Sequence, residues 1–134
     1  MTLNLPSSIH VKAVTFGTPR VGNPAYASYF DSKVWVTSCT TFKLIFTDDC
    51  QVSDFQRIDN LYDPIPIVPG RGLGYAHPHG EVHFLGSNKA VACPGDDDAT
   101  DSQCTISWVP NIFVSDLIDH LGPYQGVYVG TIFC

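Results

Sequence analysis

The sequence predicts an α/β fold, and three observations support this class. Short apolar runs typical of buried strands recur along the chain, segments with helix start and stop signals lie between them, and 10 prolines and 11 glycines indicate many turns. No internal repeat or linker interrupts this alternation, which is typical of strands joined by helices. We therefore expect about three sheet strands with flanking short helices.

The first predicted strand lies in "SIHVKAVTFG", whose mostly apolar run over residues 9–16 ends at Gly17. A turn over residues 19–22 follows it. Asn23 is then suited to cap a helix and Pro24 to occupy its first position, because that position needs no N–H donor. This part of the chain therefore predicts a buried strand that leads into a helix.

Two more strands and a helical turn are predicted further along. "DFQRIDNLY" is interpreted as a strand with Phe55, Ile58 and Leu61 on its buried side, and "EVHFLG" as a short third strand. In "SDLIDHLGPYQG", Ser115 is suited to cap a short helical turn that the "GP" pair ends.

Composition argues against several classes of partner. The 134 residues fit one domain or part of one, and 44% hydrophobic with 15% charged residues is not a disordered composition. The net charge of −6 disfavours nucleic acid and anionic membranes, because phosphate binding needs clustered cations. No apolar run reaches the roughly 20 residues that cross a bilayer. The start, "MTLNLPSSIHVK", lacks signal-peptide features, so the chain as written is expected in the cytosol.

The cysteines point instead to a secreted protein. Cys93 and Cys104 bracket the polar loop "PGDDDATDSQ", and closing such a loop by a disulfide is common in secreted proteins. With Cys39, Cys50 and Cys134 the total is five, so at least one cysteine has no partner within the chain. A cysteine at the last residue indicates a bridge to something outside this sequence.

An acid and a histidine stand where a hydrolase needs them. Asp63 ends the second strand in "NLYDPIPIVPG", and His120 lies in "LIDHLG". In a catalytic triad the carboxylate fixes the imidazole tautomer while the imidazole takes the proton of the nucleophile. The order acid then histidine matches the α/β-hydrolase order of serine, acid and histidine. Taken singly, an Asp beside Pro is also typical of a turn, and a lone His of packing.

Four blocks of sequence resemble, in order, the C-terminal half of the fungal class 3 triacylglycerol lipases, which are α/β-hydrolases. The blocks are "AVTFGTPRVGNPAYASYF", "RIDNLYDPIPIVP", "YAHPHGEVHFLG" and "DLIDHLGPYQG". The resemblance implies a partial lipase-type domain over residues 1–134, with the N-terminal half of the fold missing. It also implies hydrolysis of lipid carboxylic esters without a cofactor, and secretion of the full-length protein.

The same resemblance implies roles for individual residues. Asp63 matches the triad carboxylate and His120 the general base. An acyl-chain groove would be lined by Ile65, Val68, Pro69 and Leu121, for which core packing is the alternative. Cys93 and Cys104 match a disulfide-closed loop before the histidine. Cys134 matches a C-terminal cysteine whose partner lies near the N-terminus of the family members.

One departure from the family matters for activity. Such an enzyme needs a serine in a G-x-S-x-G elbow, but the central residues between glycines four apart in this chain are Gly72, Tyr124 and Tyr128. The resemblance places the serine, one oxyanion donor and the lid upstream of Met1. We therefore expect the chain alone to be inactive, because its orienting residues have nothing to activate.

Residues 34–51, "VWVTSCTTFKLIFTDDCQ", have no counterpart in the family pattern. One interpretation is a translated intron, since every Val codon begins with GT and Gln51 can be encoded by CAG, as donor and acceptor sites require. The alternative is a loop insertion, which chains tolerate well, closed by Cys39 and Cys50.

Two non-enzymatic interpretations compete with the hydrolase. In "HPHGEVH" the side chains of His77, His79 and His83 with Glu81 would share one face of an extended strand and could bind zinc. A second alternative is a lipid-binding module that lacks the nucleophile.

The acidic stretch and one arginine are interpreted as structural. "PGDDDATDSQ" lacks the glycine and glutamate of a calcium-binding EF-hand loop, so a solvated loop is expected. Arg20 in "TPRVGN" is expected to bind a backbone carbonyl or a carboxylate.

Overall fold

The computed structural model describes residues 12–33, 55–86, 88–94, 97 and 101–130. These residues form a four-stranded sheet in the order β1-β2-β3-β4, with the first three strands parallel and the last antiparallel. The strands are β1 (Ala13–Phe16), β2 (Phe55–Asn60), β3 (Glu81–Gly86) and β4 (Lys89–Ala92). The insertion at residues 34–51, with Cys39 and Cys50, and the terminal Cys134 lie outside the described residues.

Helix α1 (Pro24–Lys33) follows β1 and begins where the sequence predicts. The side-chain oxygen of Asn23 accepts a hydrogen bond from the Tyr26 N–H at 2.9 Å, which satisfies an N–H of the first turn. The rings of Phe30 and Phe55 pack edge to face at 4.8 Å, which joins the helix to β2. With ten residues, α1 is the longest helix in the described part of the chain, where no helix is long and apolar enough to cross a membrane.

Strand β1 is less buried than predicted. Val14 is 51% exposed and Phe16 is 41% exposed. The reason is its position, because β1 pairs with β2 on one side and stands at the edge of the sheet that the described residues form.

The two faces of β2 and β3 differ sharply in polarity. On one face Ile58 and Val82 pack with Tyr124 in the main apolar cluster. The opposite face carries four buried polar residues, namely Arg57, Asp59, Glu81 and His83. The predicted inward set of Phe55, Ile58 and Leu61 is therefore correct only for Ile58, since Phe55 and Leu61 are half-buried and Leu61 already lies in the turn after β2.

Strand β4 and helix α2 (Thr105–Trp108) were not predicted. A tight turn at Asn88, with φ of 60°, reverses the chain from β3 into β4. Cys93 follows β4 directly and forms a disulfide with Cys104, with an S–S distance of 2.13 Å. This disulfide anchors the start of α2 beside the end of β4.

Helix α3 (Ile118–Leu121) ends before Gly122 as predicted, but Ser115 does not cap it. The carboxylate of Asp116 accepts the Ile118 N–H at 2.8 Å instead. The hydroxyl of Ser115 points back along the chain and donates to the Ile112 carbonyl at 2.7 Å.

Loss of the disulfide should lower stability measurably. We expect the double variant Cys93→Ser and Cys104→Ser to unfold with about 2 to 4 kcal/mol less free energy, because a cross-link over a loop of this length restricts the unfolded chain. Chemical denaturation followed by circular dichroism gives this value. An unchanged denaturation midpoint would contradict a structural role for the bridge.

Candidate active site

A carboxylate and an imidazole from distant parts of the chain meet at one end of the sheet. Asp63 lies three residues beyond the end of β2, and His120 lies within α3. The Nδ1 atom of His120 is 2.9 Å from Oδ2 of Asp63, across 57 residues of sequence. Asp63 is fully buried, whereas the His120 side chain is 32% exposed. With Nδ1 donating to the carboxylate, the neutral imidazole has Nε2 as its proton acceptor.

Three groups orient the carboxylate of Asp63. Its Oδ1 accepts the Ile65 N–H at 2.8 Å, so the turn after Asp63 fixes the plane of the carboxylate. Its Oδ2 lies 3.4 Å from the Tyr124 hydroxyl as well as binding His120. Burial, reinforced by the negative charge of Asp63, raises the pKa of Tyr124 well above its usual range, so this hydroxyl remains a donor.

The loop that carries His120 is bound to the end of β2. Asn60 donates through its side-chain amide to the Asp119 carbonyl at 2.9 Å, and the Asp119 carboxylate accepts the Tyr62 N–H at 3.0 Å. Burial raises the pKa of Asp119, against the effect of the Tyr62 hydrogen bond. These contacts on the residue before His120 set the position of the imidazole.

Gly17 makes room for the Asp63–His120 pair. Its backbone has a φ of +53°, in the left-handed region, and its N–H donates to the Ile58 carbonyl at 2.8 Å. A Cβ at this position would lie 2.6 Å from Asp63 Oδ2 and would overlap the His120 ring. The backbone at Gly17, which carries no side chain, therefore lies directly against the Asp63–His120 pair.

Sequence reasoning named Asp63 and His120 but not Tyr124, Gly17 or Asn60. The useful signal for Gly17 was its place directly after a strand, where a glycine often marks close approach of backbone. For Tyr124, the general need of a buried hydroxyl for a partner was the only signal.

Three of the four residues proposed for the acyl groove follow Asp63 in the sequence, and the fourth follows His120. Ile65, Val68, Pro69 and Leu121 are each half-buried, which leaves part of every side chain accessible. Pro66 and Ile67, between the first three, are buried instead. Their role in holding an acyl chain remains a prediction.

The face of three histidines that an extended "HPHGEVH" stretch would present to zinc does not form. His77 lies before β3, and its Nε2 is 2.8 Å from the Pro66 carbonyl. His79 pairs with Asp31 at 2.8 Å. His83 lies between the carbonyls of Gln103 and Leu61, at 2.6 and 2.9 Å. Each imidazole has its own protein partner, because the "PHG" segment bends the chain rather than extending it.

Within the described part of the chain, only one group of three potential ligands converges, and it is unsuited to a metal. It consists of Glu81, Cys93 and Cys104. The two cysteines are joined in the disulfide and so present no thiolate. The Glu81 carboxylate already accepts the Thr105 N–H at 2.8 Å.

The buried charges on the polar face of the sheet form one group. The guanidinium of Arg57 lies 3.5 Å from the Asp59 carboxylate and 3.6 Å from that of Glu81. Burial raises the pKa of Asp59 well above its usual range, although the positive charge of Arg57 opposes this. Thr105 donates to Asp59 at 3.2 Å, so α2 is bound to this group.

Asp97 is an exception to the expectation of a solvated acidic loop. It is 7% exposed, and its carboxylate forms two hydrogen bonds with Arg20, at 2.9 and 2.8 Å. Burial disfavours its ionised form, but the hydrogen bonds from Arg20 and the His77 N–H outweigh this effect, so the pKa of Asp97 is lowered. Arg20 thereby binds both a carboxylate and backbone carbonyls, as expected. Residues 95, 96 and 98–100 lie outside the described part of the chain.

The parallel strands with short flanking helices define an α/β-hydrolase type of fold, and comparison with solved structures agrees. The chain superimposes on lipase II from Rhizopus niveus with a TM-score of 0.59 and 27% identity, over 85% of this chain and 35% of that one. It is similarly related, with a TM-score of 0.59 and 26% identity, to a triacylglycerol lipase described as having a serine protease triad as its catalytic centre. That match covers 87% of this chain and 36% of that lipase.

The sequence defines the family more narrowly. The sequence model described as "Lipase (class 3)" matches residues 1–73, which is more than half of the chain, and the chain belongs to this family. A relative from Malassezia globosa, the secreted mono- and diacylglycerol lipase LIP1, is 32% identical over 123 residues. The match covers 90% of this chain but 33% of that lipase, so the chain spans about a third of its length.

Replacing Gly17 should separate the Asp63–His120 pair. We expect Gly17→Ala to lower the free energy of unfolding by at least about 2 kcal/mol, because the new Cβ meets the carboxylate and the backbone is left-handed. Denaturation curves measure the loss.

Gly70→Ala is the matched control for this prediction. Gly70 has a φ of −61° and no atom within 4 Å of an added Cβ, so the change should stay within about 0.5 kcal/mol. Equal effects of the two substitutions would contradict the close approach at Gly17.

His77 should make stability depend on pH. Burial, with the positive charge of Arg57, lowers the pKa of His77 to about 3 from an ordinary 6.5, so the unfolded state binds a proton that the folded state does not. The stabilisation is complete above pH 6.5 and is lost as pH falls towards 3, by about 5 kcal/mol at most.

Comparison with His77→Gln isolates this effect. Glutamine retains a donor for the Pro66 carbonyl but does not titrate, so its unfolding free energy should fall less over the same pH range. Parallel curves for the two proteins in urea titrations would rule out His77 as the source.

Proposed function

We propose that this chain supplies the carboxylate and the imidazole of a serine-type ester hydrolase acting on lipid carboxylic esters, and so takes part in lipid degradation. The observation that carries the proposal is the 2.9 Å contact between Asp63 Oδ2 and His120 Nδ1. A buried carboxylate at this distance fixes the tautomer of the imidazole and stabilises its protonated form. The Nε2 atom of His120 is thereby prepared to take a proton from a hydroxyl nucleophile.

The nucleophile would come from polypeptide outside these 134 residues. No G-x-S-x-G elbow occurs in the sequence, so no serine in it has the strand-to-helix setting that the reaction needs. Without the serine there is no covalent acyl intermediate, and the Asp–His pair has no proton to accept. The isolated chain is accordingly proposed to be inactive.

The substrate and location follow from the relatives. The Malassezia globosa relative is named a secreted mono- and diacylglycerol lipase, and we propose an acylglycerol-type lipid as substrate and secretion as the location. The Cys93–Cys104 disulfide supports an oxidising compartment. The proposed acyl-groove residues Ile65, Val68, Pro69 and Leu121 are half-buried, so each keeps some exposed surface.

The insertion at residues 34–51 remains a separate proposal. It falls between α1 and β2, where a translated intron or an added loop would lengthen a connection without entering a described element. Sequencing the transcript across the codons for residues 33–52 distinguishes the two. A message that skips the codons for residues 34–51 identifies the intron, and one that retains them identifies the loop.

Activity requires a serine supplied from elsewhere. We expect the purified chain to release no fatty acid from a short-chain ester or emulsified diacylglycerol above the rate of buffer. Fused to the part of Rhizopus niveus lipase II that this chain does not cover, it should support hydrolysis, and Asp63→Asn or His120→Ala should lower kcat by about 10⁴-fold. A titrimetric assay measures both.

The contrary outcomes are informative. Turnover by the isolated chain that His120→Ala abolishes would contradict the need for an outside serine. Hydrolysis by the fused protein that survives both substitutions would remove Asp63 and His120 from the reaction, and a lipid-binding module without chemistry would then be the better interpretation.

A further inference from the structure

Four consecutive carbonyl oxygens in the turn that follows Asp63 accept hydrogen bonds from Arg20 and His77. These four oxygens belong to Pro66, Ile67, Val68 and Pro69. The first accepts from the ring of His77 at 2.8 Å. The other three accept from Arg20: the second and fourth from Nη1 and the third from the main-chain N–H, at 2.9 Å for the last two.

Composition explains why outside donors are needed. Proline supplies no N–H, and residues 64, 66 and 69 are all prolines, so this segment cannot form an ordinary strand ladder. Arg20 is 3% exposed and His77 2% exposed. Carbonyls facing these side chains must find protein donors, since a buried carbonyl without one is costly.

Asp97 aligns both donors. Its two carboxylate oxygens bind Nε and Nη2 of Arg20 at 2.9 and 2.8 Å, which fixes the plane of the guanidinium. Its Oδ2 also accepts the His77 N–H at 2.9 Å. The residue lies between Cys93 and Cys104, so the disulfide-closed loop reaches across to the turn.

The turn contributes one of the hydrogen bonds that orient the Asp63 carboxylate. The N–H of Ile65, which begins the segment, donates to Asp63 Oδ1 at 2.8 Å. The other oxygen binds His120 Nδ1. A shift of residues 65–69 would therefore be expected to rotate the carboxylate and lengthen its contact with the imidazole.

We propose that Arg20 is a positioning residue for the Asp63–His120 pair, acting through residues 65–69 and aligned by Asp97. The inference rests on the proposed function for its catalytic meaning, but its structural content is independent. Among the described residues no hydrogen bond or ion pair joins Arg20 to Asp63 or His120, so the effect passes through main-chain carbonyls.

The chemistry of the side chain makes the proposal specific to arginine. A guanidinium has five N–H donors in a fixed plane and can bind a carboxylate on one edge while it reaches carbonyls on the other. A lysine keeps the charge, but its single ammonium cannot both take the place of Nη1 between the carbonyls of Ile67 and Pro69 and form the two-point contact with Asp97. Arg20→Lys therefore separates charge from geometry.

The test is proton NMR of the imidazole N–H of His120 in the 134-residue chain. In the unaltered protein the hydrogen bond to Asp63 should give a downfield Nδ1–H resonance. Arg20→Lys should lose this resonance or move it upfield, while the core methyl signals of Ile58 and Val82 stay native. Arg71→Lys is the matched control, because the Arg71 side chain reaches Asp97 only at its main-chain oxygen, at 3.4 Å.

Asp97→Asn provides the second variant. It keeps the shape of the side chain but loses the charge that aligns Arg20, so the resonance should move in the same direction. Native core signals in both variants with an unmoved His120 resonance would overturn the proposal. Loss of the native core signals in both would also overturn it, since Arg20 would then support the whole fold and not the pair.

Activity of the fused protein separates this inference from the proposed function. Arg20→Lys should lower kcat by about 100-fold with KM little changed, as expected when a reacting group is displaced by a fraction of its contact distance. If Asp63→Asn leaves activity intact, the proposed function fails whatever the NMR result. If Asp63→Asn abolishes activity and Arg20→Lys does not reduce kcat, the positioning role alone fails.

Discussion

The arrangement around the candidate active site depends on burying the carboxylate of Asp63 without leaving it unpaired. A buried charge is tolerated only when hydrogen bonds replace the water it has lost. Here an N–H from the next turn, an imidazole and a phenol approach its two oxygens. The N–H comes from the proline-rich turn, and the imidazole and the phenol come from the loop around α3. Hydrogen bonding of one carboxylate therefore fixes how the end of β2, the proline-rich turn and the loop around α3 lie together.

A second group of buried charges, on the polar face of β2 and β3, is less completely hydrogen-bonded. Arg57, Asp59 and Glu81 are buried together, and two of their contacts are ion pairs at 3.5 and 3.6 Å instead of close hydrogen bonds. Such groups often contribute little net stability, because desolvation offsets their attraction. What this group does provide is attachment: Thr105 bonds to both Asp59 and Glu81, which holds α2 and the disulfide-closed loop against the strands.

Local sequence signals predicted the elements that local chemistry determines. The bounds of β3 and the Asn23 cap of α1 follow from an apolar run and a side-chain acceptor. Asp63 and His120 could be identified as a pair from the family resemblance, because the local sequence around each residue gives no sign that the other lies nearby.

Other features depend on what lies far away in the sequence. The burial of Arg57 and Asp59 could not be predicted because period-two patterning assigns polar residues to the solvent side. The role of Asp97 was hidden for the same reason, as an acidic loop gives no sign that one of its members meets an arginine 77 residues earlier. β4 was missed because its four residues, "KAVA", are too short and weakly apolar to stand out.

The exposed edge of β1 has a consequence for the isolated chain in solution. Val14 and Phe16 are exposed on β1, a strand that has one sheet neighbour among the described residues. The backbone donors and acceptors on such an edge can form hydrogen bonds with an extended segment, including the same strand of another copy. The behaviour of the purified chain should thus vary with its concentration, with dilution favouring separate molecules and crowding favouring sheets continued from one molecule to the next.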